Sequence, residues 1–324
     1  MKRKKYIMFL WLFLTALLLS TTTFAWLSAN RIFEINTFDI QIVSKGGLEI
    51  SADGKTWKGV LGMLDLYDAN ETYPNNLNQI PDTIKPVSSG GQIEDGLLKL
   101  YYGQSSQGSD GDYYLSSQRT IEKTSFGYDP DANFVVFDLF LKTSSKRTLK
   151  LDSLSKISII DGEGRGITNA FRVAFLNEGN AQNNDAISTI QNLKKATKAY
   201  IWEPNYDTHT LIAVEHARDL YNINTQETNA SKIEYHGIIN NFSRSSNVKT
   251  KEANSSYYPN LFVKVPIDIY TTRNNESVNK IFEIESGITK VRIYVWIEGQ
   301  DVDCENNAAS VNVSIDLHFI AEQS

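Results

Sequence analysis

The sequence predicts a mainly-β protein, an antiparallel β-sandwich carrying long polar loop insertions and one short helix. Tyrosine and phenylalanine are abundant, at 16 and 15 residues, while asparagine and serine crowd the gaps between apolar runs. In the best-defined segments apolar and polar residues alternate, the period of a strand with one buried face. A single cysteine, Cys304, excludes an intramolecular disulfide framework. Packing and β ladders must hold the body together, and Cys304 is expected as a small buried hydrophobe.

The chain opens with four cationic residues, Lys2-Arg3-Lys4-Lys5, followed by an uncharged stretch from Tyr6 to Asn30 whose apolar centre runs from Ile7 to Leu19. This is an export segment, with the basic start held inside and everything after about residue 31 outside. Thr23-Phe24-Ala25 sets small residues at −3 and −1, so cleavage between Ala25 and Trp26 by a signal peptidase is expected. The alternative is an uncleaved N-terminal membrane anchor, because the charge-free stretch is long enough to cross a bilayer. Residues 26–324 then form a single elaborated extracytoplasmic domain, with two sandwiches split near 150–180 as the other arrangement.

Phe38-Asp39-Ile40-Gln41-Ile42 alternates strictly and predicts the first strand, and Leu48-Glu49-Ile50 predicts a second before an Asp53-Gly54 turn ahead of Trp57. Phe134 to Leu141 is nearly continuous in apolar residues, as are Phe171 to Leu176 and Leu261 to Val265. Strands of that kind are covered on both faces and make the core. Val291 to Ile297 and Val311 to Phe319 alternate over long spans across a polar connection, which predicts that they pair with each other. Ile187 to Lys198 predicts one amphipathic helix with Ile187, Ile190 and Leu193 on a face. The polar stretches 68–96, 103–111, 177–185 and 222–260 are expected as loops, the last as a surface or partly disordered insertion.

The charge balance of −6 and the pI near 5.4 argue against nucleic acid as a partner. The four histidines, His209, His216, His236 and His318, are scattered. No His-Glu-x-x-His helix, Gly-x-Ser-x-Gly elbow, phosphate loop or dinucleotide fingerprint is present, so the chain is expected to be non-catalytic and to carry no cofactor. Asp301, Asp303 and Glu305 cluster carboxylates in a strand connection and are candidate calcium ligands, without the glycine and distal glutamate of an EF-hand. Trp202 and Tyr206 flank a Pro-Asn turn and are candidates for stacking on a sugar ring. His209 and His216 are the pair that a metal-dependent peptidase would need to use.

Thr23-Phe24-Ala25-Trp26-Leu27-Ser28, followed by Asn36-Thr37-Phe38-Asp39-Ile40-Gln41-Ile42, resembles the start of Gram-positive surface proteins of the TasA/camelysin group. The resemblance implies export through a signal peptidase of the SipW type and a jelly-roll-like sandwich. It also implies a place in extracellular fibres of a biofilm matrix, where the freed N-terminal segment adds a strand to a neighbouring subunit. Residues 26–42 would be that segment. From the same group comes an enzyme expectation, a camelysin-like metallopeptidase. The remaining alternative is a surface adhesin or glycan-binding module.

Overall fold

The computed structural model describes residues 33–34, 47–111, 113–123, 125–127, 132–161, 166–219, 233, 235–249, 257–271, 279–304 and 311–323. The export segment, the Ala25–Trp26 junction, the strand predicted at Phe38–Ile42 and most of the 222–232 stretch lie outside these residues. No helix among the described residues is long and apolar enough to cross a membrane.

Two β layers make the body, and its strands are numbered here in chain order. They are β1 (Glu49–Ser51), β2 (Gln79–Pro81), β3 (Ser125–Gly127), β4 (Val135–Thr143), β5 (Arg147–Leu151), β6 (Lys156–Asp161), β7 (Phe171–Ala181), β8 (Ala199–Glu203), β9 (Ile269–Tyr270), β10 (Asn279–Ile284), β11 (Gly287–Ile297), β12 (Asn312–Asp316) and β13 (Phe319–Gln323). The larger sheet has the order β3-β2-β4-β11-β7-β8-β9, with β1 sharing the outer edge of β4. The second layer is built from β10-β5-β13 and from the pair β6-β12. The mainly-β, sandwich-like fold is thus the one that the strand periodicity predicts.

At the centre of the larger sheet, β11 runs antiparallel to β4 from Val135↔Val295 to Thr143↔Gly287. Its other edge pairs with β7 from Phe171↔Ile297 to Ala181↔Ile288. The β7 ladder shifts register between Asn177 and Gly179, where Gly179 takes φ +114°, a conformation that favours glycine at a bulge. Both edges of β11 are therefore occupied, which corrects the expected pairing of 291–297 with 311–319. The latter segment instead supplies β12, which pairs with β6 in the opposite layer.

Side chains on one face of β4, β7 and β11, among them Phe137, Leu139, Val173, Phe175, Val291 and Ile293, meet Leu149, Phe282, Val313, Ile315 and Phe319 of the second layer. Phe175 and Phe319 pack edge to face at 5.6 Å. Burying side chains of this kind contributes about 1.5–3 kcal/mol each. Cys304, the single cysteine of the chain, lies buried in the same core.

The opposite face of the central sheet is covered by inserted segments. Val136, Leu176, Tyr294 and Trp296 pack under Val87, Leu98, Leu100, Tyr235 and Val265. Phe140 and Ile288 pack under Tyr73, Ile190 and Leu193. Of the three helices, α1 (Met63–Thr72) leads into Tyr73 of this cover and α2 (Ile187–Gln191) contributes Ile190, while α3 (Leu211–Asp219) packs separately through Ala213 and Ala217 on Ile233 and Val302. The helix expected over 187–198 stops at Gln191, because the chain beyond it is drawn onto β7 by the bond from Lys195 N–H to the Glu178 carbonyl. Helix α1, inside a region expected as loop from residue 68, starts at Gly62, whose N–H is capped by the Asp65 carboxylate.

Stretch 103–111 is not a connecting loop either. It is the middle and turn of a hairpin formed by Leu100–Gln107 and Tyr113–Thr120, with Val87–Ser88 on its edge. The Asp53-Gly54 turn is present, with Gly54 at φ +72° and Asp53 Oδ1 accepting the N–H groups of Lys55 and Thr56. Phe33–Glu34 pairs antiparallel with Thr83–Ile84 and lies beside β12.

Candidate functional site

Charged residues are buried on the covered face of the central sheet in two groups. The first joins β4 and β11. Arg292 Nε and Nη2 donate to Asp138 Oδ1 and Oδ2 at 2.8 and 3.1 Å, a bidentate fork. Lys290 Nζ stands 3.1 Å from the same carboxylate and donates to the Gln191 carbonyl at 2.7 Å. The Tyr73 hydroxyl, at the end of α1, is 2.8 Å from Asp138 Oδ2. Burial would push the Asp138 carboxyl up, but Arg292 and Lys290 outweigh it and hold it at about 2. This group bolts α1 and α2 onto the sheet.

The second group gathers where β7, β8 and β11 end. Arg172 projects from β7 with no exposed side-chain surface, and its Nη2 reaches Asp301 Oδ2 at 2.5 Å and Glu203 Oε1 at 2.7 Å. Its Nη1 donates to the carbonyls of Asn169 and Phe171. After β11 the chain turns through Glu298 to Cys304, with Asp301 N–H bonded to the Glu298 carbonyl and Cys304 N–H to that of Asp301. That turn carries Asp301 and Asp303 inward, against His209.

His209 Nδ1 lies 2.7 Å from Asp303 Oδ2, and both side chains are fully buried. Asp303 Oδ1 accepts the N–H of Thr210, whose hydroxyl caps α3 by accepting Ala213 N–H at 3.2 Å. Gly166, at φ +91°, leaves room for this contact, since a Cβ there would sit 2.8 Å from Asp303 Oδ1. His209 Nε2 has no hydrogen-bond partner among the described residues. Burial pulls the imidazole pKa down, yet the Asp303 bond and the nearby Asp301 and Glu203 charges leave it raised.

Two glutamates complete the group. Burial raises Glu203 to about 7 against the pull of Arg172. Burial likewise raises Glu298 to about 7, although its Oε2 accepts Trp296 Nε1–H at 3.0 Å and its Oε1 accepts Gln300 N–H at 3.0 Å. With Arg172 and a protonated His209 set against Asp301 and Asp303, the group is neutral when both glutamates keep their protons. Buried charges are tolerated only when paired in this way.

His209, Asp301 and Asp303 are close enough together to be considered as metal ligands. Their oxygens are already spent, however. Asp301 Oδ1 takes the Asp303 N–H and Oδ2 takes Arg172, while Asp303 Oδ2 serves both His209 and Asn169 Nδ2. Calcium needs six to eight oxygens, more than these two carboxylates supply, and Asp301 Oδ2 is already paired with the Arg172 guanidinium. The expected calcium set therefore does not fit as placed, and its third member, Glu305, lies outside the described residues. His216 sits on α3 and does not join this group.

Trp202 is 0 % exposed, with its indole in the main core and Nε1 donating to Thr271 Oγ1 at 3.0 Å. It has no face to offer a sugar, which corrects the stacking role expected for it. Strand alternation explains this, since β8 is covered on both sides and Trp202 points toward the second layer. Tyr206 is half-buried and packs on Tyr270 at 4.8 Å.

Arg172 and Glu203 belong to no sequence motif, whereas His209 is one of the two histidines considered above as metal ligands. The one available sign was Arg172 itself, a cation inside the apolar run Phe171 to Leu176, which marks an inward ion pair rather than a solvent-facing position. Comparison with known protein families, with curated proteins and with solved structures finds nothing that matches this chain.

Proposed function

We propose that this chain is a non-catalytic, exported surface or matrix protein whose N-terminal segment adds a β-strand to a neighbouring copy. The observation that carries this reading is the position of Phe33–Glu34. Among the described residues that strand pairs with Thr83–Ile84, outside the two layers and beside β12. Among the described residues, both layers of the body are built from residue 49 onward. An N-terminal strand paired outside the layers can move to another copy without dismantling the core.

Support for the location comes from the basic start, the apolar run and the Ala25–Trp26 junction. The pairing of the buried charges with one another supports a bracing role for them in place of a catalytic one. The test is N-terminal sequencing of the protein from its host together with electron microscopy of the extracellular fraction. A start at Trp26 with filaments that vanish when residues 26–46 are deleted is the expected result. An intact Met1 end confined to the membrane would overturn strand donation.

A further inference from the structure

The hairpin of Leu100–Gln107 and Tyr113–Thr120 carries a surface that none of the preceding functions uses. Its inner face is buried through Tyr101 and Leu115. The edge of Tyr113–Thr120 away from its hairpin partner meets a further segment through an isolated antiparallel bridge at Phe242. Ser117 N–H donates to the Phe242 carbonyl at 2.8 Å and Phe242 N–H to the Ser117 carbonyl at 3.1 Å. Phe242 turns inward against Phe262 at 5.7 Å. Its neighbours Asn241 and Ser243 therefore turn outward.

The register then sets side chains in two rows across the hairpin and this segment. Tyr102 is opposite Gln118, and Gln104 is opposite Ser116. The Ser117–Phe242 bridge extends these rows to Asn241 and Ser243. All six line one cleft of about 490 Å³, and none of them carries a formal charge. The loop is fixed in advance of any ligand, because Ser117 Oγ donates to the Asn240 carbonyl at 2.7 Å and Asn241 Oδ1 accepts Arg119 N–H at 2.7 Å. That second bond orients the Asn241 amide so that its NH₂ group is left to donate.

We propose that this cleft binds a neutral polysaccharide. Amides and hydroxyls both donate and accept, as sugar hydroxyls do, so a fixed array of them matches a ring of hydroxyls. The side chains of Gln104 and Gln118 have no partner among the described residues and stand exposed beside the Tyr102 ring. Tyr102, half-buried and with Lys85 Nζ 6.0 Å from its ring centre, supplies the aromatic surface for the C–H face of a sugar at one end of the row. A nucleic acid fits poorly, since none of the described residues lining the cleft is a cation and Lys85, 6.0 Å from the Tyr102 ring centre, is too little charge for a chain of phosphates. A peptide strand would seek a free strand edge, and here the face of the strands is presented.

Affinity electrophoresis of the full chain tests this, in gels containing a soluble β-1,3-glucan, amylose, a galactomannan or the acidic polygalacturonate. Retardation in at least one neutral gel is the expected result, weakened about fivefold by Tyr102→Ala and by Gln118→Ala. Gln118 is exposed and unbonded, so Gln118→Ala keeps its fold and decides the matter if Tyr102→Ala does not. No retardation in any neutral gel, retardation by polygalacturonate alone, or retardation that Gln118→Ala and Gln104→Ala both leave intact would overturn the proposal. Filament formation is read separately, so either idea can fail without the other.

Discussion

Asp138 and Arg292 face each other across the central β4–β11 ladder, directly in register, and the guanidinium holds both oxygens of the carboxylate. Asp138→Ala leaves Arg292 and Lys290 buried without their shared counter-charge. Removing one partner of a buried pair costs about 3–5 kcal/mol, largely for the charge left behind. Urea unfolding of the variant should show a loss of that size. A loss below about 1 kcal/mol would show that water or Glu178 compensates.

The pH dependence of stability follows from the same two groups. Glu203 and Glu298 have folded pKa values raised to about 7 from 4.5, mainly by burial. Between those values the folded state binds more protons than the unfolded one, so stability falls as pH rises from about 4.5 through 7. His209 acts in the same sense. Its raised pKa gives stability that is complete below 6.5 and lost as pH rises through the folded value. Asp138, lowered from 3.8 to about 2, removes stability as pH falls through that window. Thermal melts should therefore give a maximum near pH 4 to 5, at about the point where the two trends cross. Glu203→Gln should flatten the limb between pH 5 and 7, and an unchanged slope would mean that Glu203 stays ionised beside Arg172.

Calcium and chelators should leave the melting temperature unchanged. Every carboxylate oxygen of Asp301 and Asp303 already has a donor, Arg172 among them at Asp301 Oδ2. A ligand that binds only the folded state raises its stability by mass action, about 2.7 kcal/mol at a hundredfold excess over Kd. A rise of several degrees on adding calcium would show that the group rearranges to admit the ion.

The layers were legible in the sequence because β4 and β7 are continuous apolar runs, and both prove buried on both faces. The partner of β11 was not. Lys290 and Arg292 look like the solvent side of an alternating strand, yet both are buried and bonded to Asp138. Alternation records polarity, and burial of a paired charge gives the same pattern as exposure. The cluster around Arg172 was harder still. Its members come from Arg172, Glu203, His209, Asp301 and Asp303, far apart in the chain, and only the closing of β7, β8 and β11 brings them together. Asp301 and Asp303 could be singled out as a pair, but what they bind could not. The hairpin at 100–120 was lost for another reason, since its serine and glutamine residues give no apolar period even though Tyr101 and Leu115 are buried.

Gly287 opens β11 at φ +109°, and a Cβ at that position would lie 2.3 Å from the Ala181 carbonyl oxygen. Two independent costs meet in Gly287→Ala. The backbone conformation is strained for any L side chain, and the atom that blocks the methyl is main chain of β7, which cannot swing aside. Relief would mean opening the β7–β11 ladder at Ala181↔Ile288, next to the packing of Ile288 against Phe140 and Ile190. A loss of about 1–3 kcal/mol is expected from the strain alone, and more if the ladder end opens. Hydrogen exchange separates the two outcomes. Faster exchange confined to residues 179–181 and 287–289 marks local opening, whereas a variant as stable as the parent would show that β11 can start one residue later at no cost.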